Sequence, residues 1–143
     1  MIARRILFTA MVIVALVVLT DTALSGQTAG VLRANAKHEI VLDKPAIVDN
    51  TLLPPGTYKV HSQASSTTHQ VYFMREVTLR AVFPETSSVV VYDEAARVKS
   101  DTKLRSNVAE ITELHYVEED GTMHIVSADI KGESHSHIFG HRE

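Results

Sequence analysis

Apolar and polar residues alternate with a period of two in short segments that recur along the chain. In the segment 57–61, Tyr58 and Val60 alternate with Thr57, Lys59 and His61. This period is typical of a β-strand with one buried face. Segments rich in β-branched and aromatic residues predict further strands, at 38–42, 46–48, 70–74, 76–83, 88–92, 108–117, 122–130 and 133–139.

Pairs of turn-forming residues separate these segments. Asp49–Asn50 and Lys131–Gly132 predict tight turns, and Asp120–Gly121 between two strand-like segments predicts a hairpin. Pro55–Gly56 predicts a type II turn, because proline presets the first central φ and glycine accepts a positive second one. This turn would connect two consecutive strands.

Two polar segments do not follow the strand pattern. Residues 62–68 predict a polar loop or hairpin tip, and the charged residues 93–107 predict an exposed loop with at most one helical turn. With about eight strands and no convincing helix, the chain is expected to be all-β, forming an antiparallel β-sandwich or small barrel.

The first residues have a different character. A basic start with Arg4 and Arg5 precedes an apolar segment at 6–19, and small residues such as Ala23 and Ser25 follow. This order predicts a signal peptide over residues 1–25, with a linker at 26–36 and a β-sandwich domain at 37–143. An uncleaved membrane anchor is the alternative. The protein is therefore expected to be periplasmic or secreted.

Composition excludes several classes of function. Without residues 1–25 the chain has 12 basic and 16 acidic residues (14 less Arg4 and Arg5, 17 less Asp21), so a nucleic-acid partner is not expected. The chain has no cysteine, which excludes disulfides, dithiol redox chemistry and thiolate metal sites. The aromatic residues are spread over many segments, which favours a role in the core.

The segment 53–58, Leu-Pro-Pro-Gly-Thr-Tyr, follows a short strand and the Asp49–Asn50 turn. In this it resembles a group of small exported proteins common in Acidobacteria, which carry Leu-Pro-Ala-Gly-Thr-Tyr or a close variant. The resemblance implies a β-sandwich and export, and it brings no catalytic residues. The final strand, with His135 and His137, departs from the pattern of that group.

Histidine is the residue type with the clearest chemical potential. All eight histidines follow the predicted signal peptide, and His135, His137 and His141 lie near the end. Positions i and i+2 of a strand share a face about 6.5–7 Å apart, so His135 and His137 could converge on zinc or copper(II). His141 and His124 are further candidate ligands. The alternatives are a polar strand face without metal and a pH-sensitive histidine patch.

No motif indicates an enzyme. The chain has no Gly-x-Ser-x-Gly turn and no predicted helix that could carry a His-Glu-x-x-His pair. The expected function is a non-enzymatic binding or structural module of the cell envelope or the exterior, without a cofactor. A protein or envelope partner would pair with an edge strand, either the opening strand or the final one, and membrane contact would come only through an uncleaved signal peptide. The alternative is weak zinc or copper binding by the terminal histidines.

Overall fold

The computed structural model describes residues 27–65, 68–81 and 87–140. The predicted signal peptide lies outside these residues. The described residues form an all-β fold, which confirms the predicted class, and contain no helix long and apolar enough to cross a membrane. The strands are β1 (Gln27–Arg33), β2 (Ile40–Leu42), β3 (Ala46–Val48), β4 (Thr51–Leu53), β5 (Gly56–Ala64), β6 (His69–Ala81), β7 (Ser87–Leu104), β8 (Glu113–Glu119), β9 (Thr122–Asp129) and β10 (His135–Ile138).

The strands form one sheet in the order β1-β8-β9-β10-β7-β6-β5-β2, with antiparallel neighbours, and the sheet is nearly closed into a barrel. The small β3–β4 hairpin joins it through a parallel pairing of β3 with β9. The long strand β7 connects the two halves, because its residues 87–100 pair with β6 and its residues 101–104 pair with β10.

The inner face of the sheet forms one hydrophobic core. Tyr58 on β5 and Phe73 on β6 are fully buried, and Lys59 and His61 beside Tyr58 are exposed, as the period-two pattern predicts. The Tyr58 hydroxyl donates to the Pro54 carbonyl at 2.5 Å, so this buried phenol has a partner. Burial of these apolar side chains, at about 25 cal/mol per Å², is the main stabilising term in a chain without cysteine.

The predicted turns at Asp49–Asn50, Asp120–Gly121 and Lys131–Gly132 are confirmed. Asp49 and Asn50 have φ values of 42° and 66°, and Asp120 and Gly121 have 52° and 78°. Positive φ at both central residues is the hairpin geometry that matches the strand twist.

The predicted type II turn at Pro55–Gly56 is wrong. Gly56 has φ 158°, far from the value of about 80° that such a turn requires, and it is the first residue of β5. The preceding carbonyl of Pro55 instead accepts a hydrogen bond of 2.9 Å from Arg75 Nη2. This contact holds the two prolines against β6.

The predicted linker at 26–36 is also wrong, because residues 27–33 form β1 and pair with β8 along its whole length. The strand is mostly exposed on both faces, so its sequence has no apolar alternation to reveal it. The sheet therefore begins before residue 37.

The predicted loop at 93–107 is strand as far as Leu104. Ala96 and Val98 point into the core, and pairing with β6 overrides the helical propensity of the Glu94–Arg97 segment. The predicted strand 70–74 and the described part of the predicted strand 76–83, up to Ala81, belong to the single strand β6. Residues 82 and 83 lie outside the described residues. The strand predicted at 108–117 begins only at Glu113.

The prediction for the edge strands is half correct. The opening strand, β2, lies at one end of the sheet, but β10 lies between β9 and β7 and is not an edge. The other end of the sheet is β1. The histidine-bearing strand is therefore unsuited to pairing with a partner.

Candidate metal site

Three histidines meet on the inner face of the sheet where β7 passes from β6 to β10. On β7, Ser100 lies opposite His69 of β6, and Thr102 lies opposite His137 of β10. Because Ser100 and Thr102 are two residues apart on one strand, both histidines face the same side of the sheet. His135 is two residues before His137 and shares that side. The strand register thus places all three imidazoles together.

The three rings are close enough to share one ion. The centroids of His135 and His137 are 5.1 Å apart, and that of His69 lies 5.3 Å from His135 and 6.0 Å from His137. One ring nitrogen from each histidine lies within 4.8 Å of the other two. His137 is fully buried, whereas the other two are partly exposed.

Glu133 is the acidic neighbour of this cluster. The tight turn before it has Gly132 at φ 88°, and backbone hydrogen bonds of 2.9 and 3.0 Å tie Gly132 and Glu133 to Ala109. Its Oε1 lies 3.2 Å from His137 Nε2 and accepts a 2.7 Å hydrogen bond from the Ser62 hydroxyl. The rigid turn therefore fixes a carboxylate beside the imidazoles.

Two buried polar atoms of the cluster have no hydrogen-bond partner among the described residues: His135 Nε2 and Glu133 Oε2. His135 Nε2 is 3.3 Å from Glu133 Oε1, within the range of an ion pair, but the two groups are not oriented for a hydrogen bond. A buried polar group without a partner costs about 1–3 kcal/mol. Unsatisfied atoms of this kind are expected where a ligand completes a site.

Burial sets the protonation of His137. Desolvation is the largest influence and lowers the pKa of His137 below its ordinary value of 6.5, and the nearby His135 and His69 act in the same direction. The hydrogen bond with Glu133 opposes the shift without cancelling it. His137 Nδ1 lies 3.0 Å from the Ser100 hydroxyl, which orients the ring. A neutral, oriented imidazole is the form that binds a metal ion.

One member of the cluster, His69, lies at a cavity that is partly open to solvent. His69 and Ser100 line a partly open cavity of about 380 Å³ at the junction of β6, β7 and β10. Lys99 and Asp101 lie on its outer rim. Of the three histidines, His69 alone lines this cavity, and His137 is buried behind it.

The structure brings two of the four histidines proposed from the sequence into the cluster. His135 and His137 lie side by side, but His124 lies further along β9, opposite Val117 and Ile47, and does not join the cluster. His141 lies outside the described residues. Sequence reasoning missed His69, because it follows directly on a polar segment and only the pairing of β6 with β7 brings it to β10.

A second group, formed by Glu113, His115 and Asp129, is an ion-pair network. Asp129 Oδ2 is 2.5 Å from Arg105 Nη1 and 3.0 Å from His115 Nε2, and Oδ1 accepts a hydrogen bond of 2.5 Å from Ser136. Burial would raise the pKa of Asp129, but these hydrogen bonds outweigh it and lower the pKa below its ordinary value. Because the positively charged Arg105 guanidinium is in contact with Asp129, this group is less suited to a cation than the histidine cluster.

No family model, curated protein or solved structure matches this chain. The resemblance to the exported acidobacterial proteins therefore stays a prediction. Only the geometry of the histidine cluster indicates a function.

Proposed function

We propose that the protein binds a transition-metal ion, zinc or copper(II), through His69, His135 and His137. The observation that supports this most strongly is the convergence of three imidazole nitrogens within 4.8 Å of one another. Imidazole suits both ions, and three histidines with one further ligand form a common four-coordinate zinc site.

The distances require a modest contraction around the ion. Zinc–nitrogen bonds of about 2.0–2.1 Å place tetrahedral ligand atoms about 3.3 Å apart. The nitrogens would therefore have to move closer by up to roughly 1.5 Å. Rotation of His69 at the start of β6, beside the cavity, would supply much of this movement.

Glu133 is the best candidate for the fourth ligand. Its Oε1 is already within 3.3 Å of a ring nitrogen of both His135 and His137, and its Oε2 lacks a hydrogen-bond partner. Its negative charge would also offset part of the charge of a divalent cation. A bound ion would give the unsatisfied atoms of His135 and Glu133 the partner that they otherwise lack.

The proposed role is consistent with an exported module that has no enzymatic activity. Export, the location in the periplasm or outside the cell, and a protein or envelope partner stay proposals. In such a compartment the protein would bind or buffer zinc or copper.

Isothermal titration calorimetry of the purified protein with zinc and with copper(II) tests the proposal. We expect one ion per chain, and we expect His69→Ala, His135→Ala and His137→Ala each to weaken binding by tenfold or more, about 1.4 kcal/mol. His61→Ala is the matched control, because His61 is an exposed histidine of β5 that stacks on Tyr72, outside the cluster. Absence of binding at micromolar metal, or equal weakening by the control, would contradict the proposal.

A further inference from the structure

The end of the β6–β7 hairpin extends beyond the rest of the sheet. We call residues 76–81 of β6 and 87–92 of β7 the arm. The pairing of β5 with β6 ends at Arg75, and β10 pairs only with residues 101–104 of β7. The two strands of the arm thus pair only with each other in the part of the chain that the structure describes.

The arm exposes apolar side chains and two unpaired strand edges. Leu79, Val89 and Val90 are each more than half exposed. An isolated two-stranded ribbon is marginally stable in water, and an unpaired edge is a template for another strand. These features indicate that the arm is an interaction surface.

We propose that the β6 edge of the arm pairs antiparallel with the same edge of a second copy of this chain, around a two-fold axis at Thr78. This register places Glu76 opposite the partner's Arg80 and Val77 opposite the partner's Leu79. Thr78 then lies opposite its own counterpart. The same surface serves both copies, as a two-fold interface requires.

Charge complementarity is the argument for a second copy as the partner. Glu76 and Arg80 are four residues apart on one extended strand, about 13 Å, so they are too distant to pair within a chain. In the proposed register their Cβ atoms would be about 4.5–5.5 Å apart in two symmetric pairs. Moving the axis by one residue either way removes both pairs. The β6 edge of the arm is therefore complementary in charge to its own copy in this register.

The apolar side chains of the arm also benefit from this pairing. Val77 and Leu79 lie on one face of the ribbon together with Val91 and Val89, their partners on β7. Pairing would join this face with its copy in a four-stranded sheet, where Val77 packs beside the partner's Leu79. Such cross-strand aliphatic contacts add to sheet stability. This interface is independent of the proposed metal site.

Sedimentation equilibrium of the full purified chain tests the dimer through charge reversal. Glu76→Arg and Arg80→Glu each replace two attractive pairs with two repulsive ones, which we expect to weaken dimerisation by about tenfold or more. An equimolar mixture of the two variants should form a heterodimer. One chain then carries two positive side chains at these positions and the other carries two negative ones, so both cross-strand pairs again join opposite charges. The double variant E76R/R80E should dimerise like the wild type.

The matched control is Lys103→Glu, an equal charge change on an exposed residue of β7 outside the arm, which should leave the dimer intact. Far-ultraviolet circular dichroism checks that each variant is folded. Three outcomes would overturn the proposal: a monomeric wild type at all concentrations, dimers that both single reversals leave unchanged, or a mixture that fails to restore dimerisation. A wild type that stays monomeric would mean that Glu76 and Arg80 protect the edge or serve a different partner.

Discussion

Replacement of His135 by leucine should have opposite effects on the metal-free and zinc-loaded protein. In the metal-free protein, His135 Nε2 is buried without a hydrogen-bond partner, which costs about 1–3 kcal/mol. The variant removes that nitrogen, because an apolar side chain of similar size replaces the imidazole. It also loses the contact with the partly exposed Glu133, worth about 0–1 kcal/mol. The balance is a stabilisation of about 1 kcal/mol.

Zinc binding should make the wild type more stable than His135→Leu. A ligand at 100 times its Kd stabilises a folded protein by about 2.7 kcal/mol. At about 4 °C per kcal/mol for a domain of this size, zinc should raise the Tm of the wild type by roughly 10 °C. Metal-free His135→Leu should melt about 4 °C above the metal-free wild type but gain only a small part of the zinc increment.

Differential scanning calorimetry with and without zinc measures both effects. His61→Leu is the control, because it removes an exposed imidazole on β5 and should keep the full zinc increment. A metal-free His135→Leu variant that melts well below the wild type while keeping the wild-type zinc increment would contradict a role of His135 as a zinc ligand. His135 would then be a structural partner of Glu133.

Three further predictions concern the core, the ion-pair network and the contact between Tyr92 and Glu39. Phe73→Ala, at a fully buried position, should reduce the free energy of unfolding by about 3–5 kcal/mol, as measured by urea denaturation. A reduction of the free energy of unfolding below about 1 kcal/mol would contradict the described core. The folded-state pKa of Asp129 is lowered, so its stabilising effect is complete above the unfolded pKa of about 3.9 and is lost as the pH falls through the folded value. Asp129→Asn should therefore be less stable than the wild type at pH 7, with the difference shrinking below about pH 4, and a constant difference would exclude this linkage. The hydrogen bond from Tyr92 to Glu39 raises the pKa of Tyr92 to about 12. Glu39→Gln should return this pKa toward its ordinary value of 10.0 in an ultraviolet titration. An unchanged titration would show that the contact does not form in solution.

The sequence predicts those parts of the fold in which local pattern and tertiary structure agree. Tyr58 and Phe73 lie in segments whose side-chain pattern alone identifies a strand, and Asp120–Gly121 has the φ preferences of its hairpin. The strand β1 and the second half of β7 could not be found in this way. The strand β1 pairs with the distant strand β8, and its mostly exposed side chains carry no apolar period. In the second half of β7 only Ala96 and Val98 are buried, within a charged segment whose pairing with β6 and β10 is not encoded locally.

The candidate site, too, could be predicted from local sequence only in part. The spacing of His135 and His137 on a strand is sufficient to predict that the two rings share a face. The contributions of His69 and Glu133 depend on the register of three strands and on a turn pinned to Ala109, and no local spacing encodes these. His124 was proposed because the adjacent hairpin strand had the right residue type, but its position along β9 is too distant from the cluster.

X-ray absorption at the zinc edge, on protein loaded with one equivalent of zinc and dialysed, tests the metal site most directly. We expect a retained ion with nitrogen and oxygen ligands at about 2.0–2.1 Å, three of them imidazoles, and one imidazole fewer in His69→Ala. Zinc lost on dialysis, or a ligand shell that His69→Ala leaves unchanged, would contradict it.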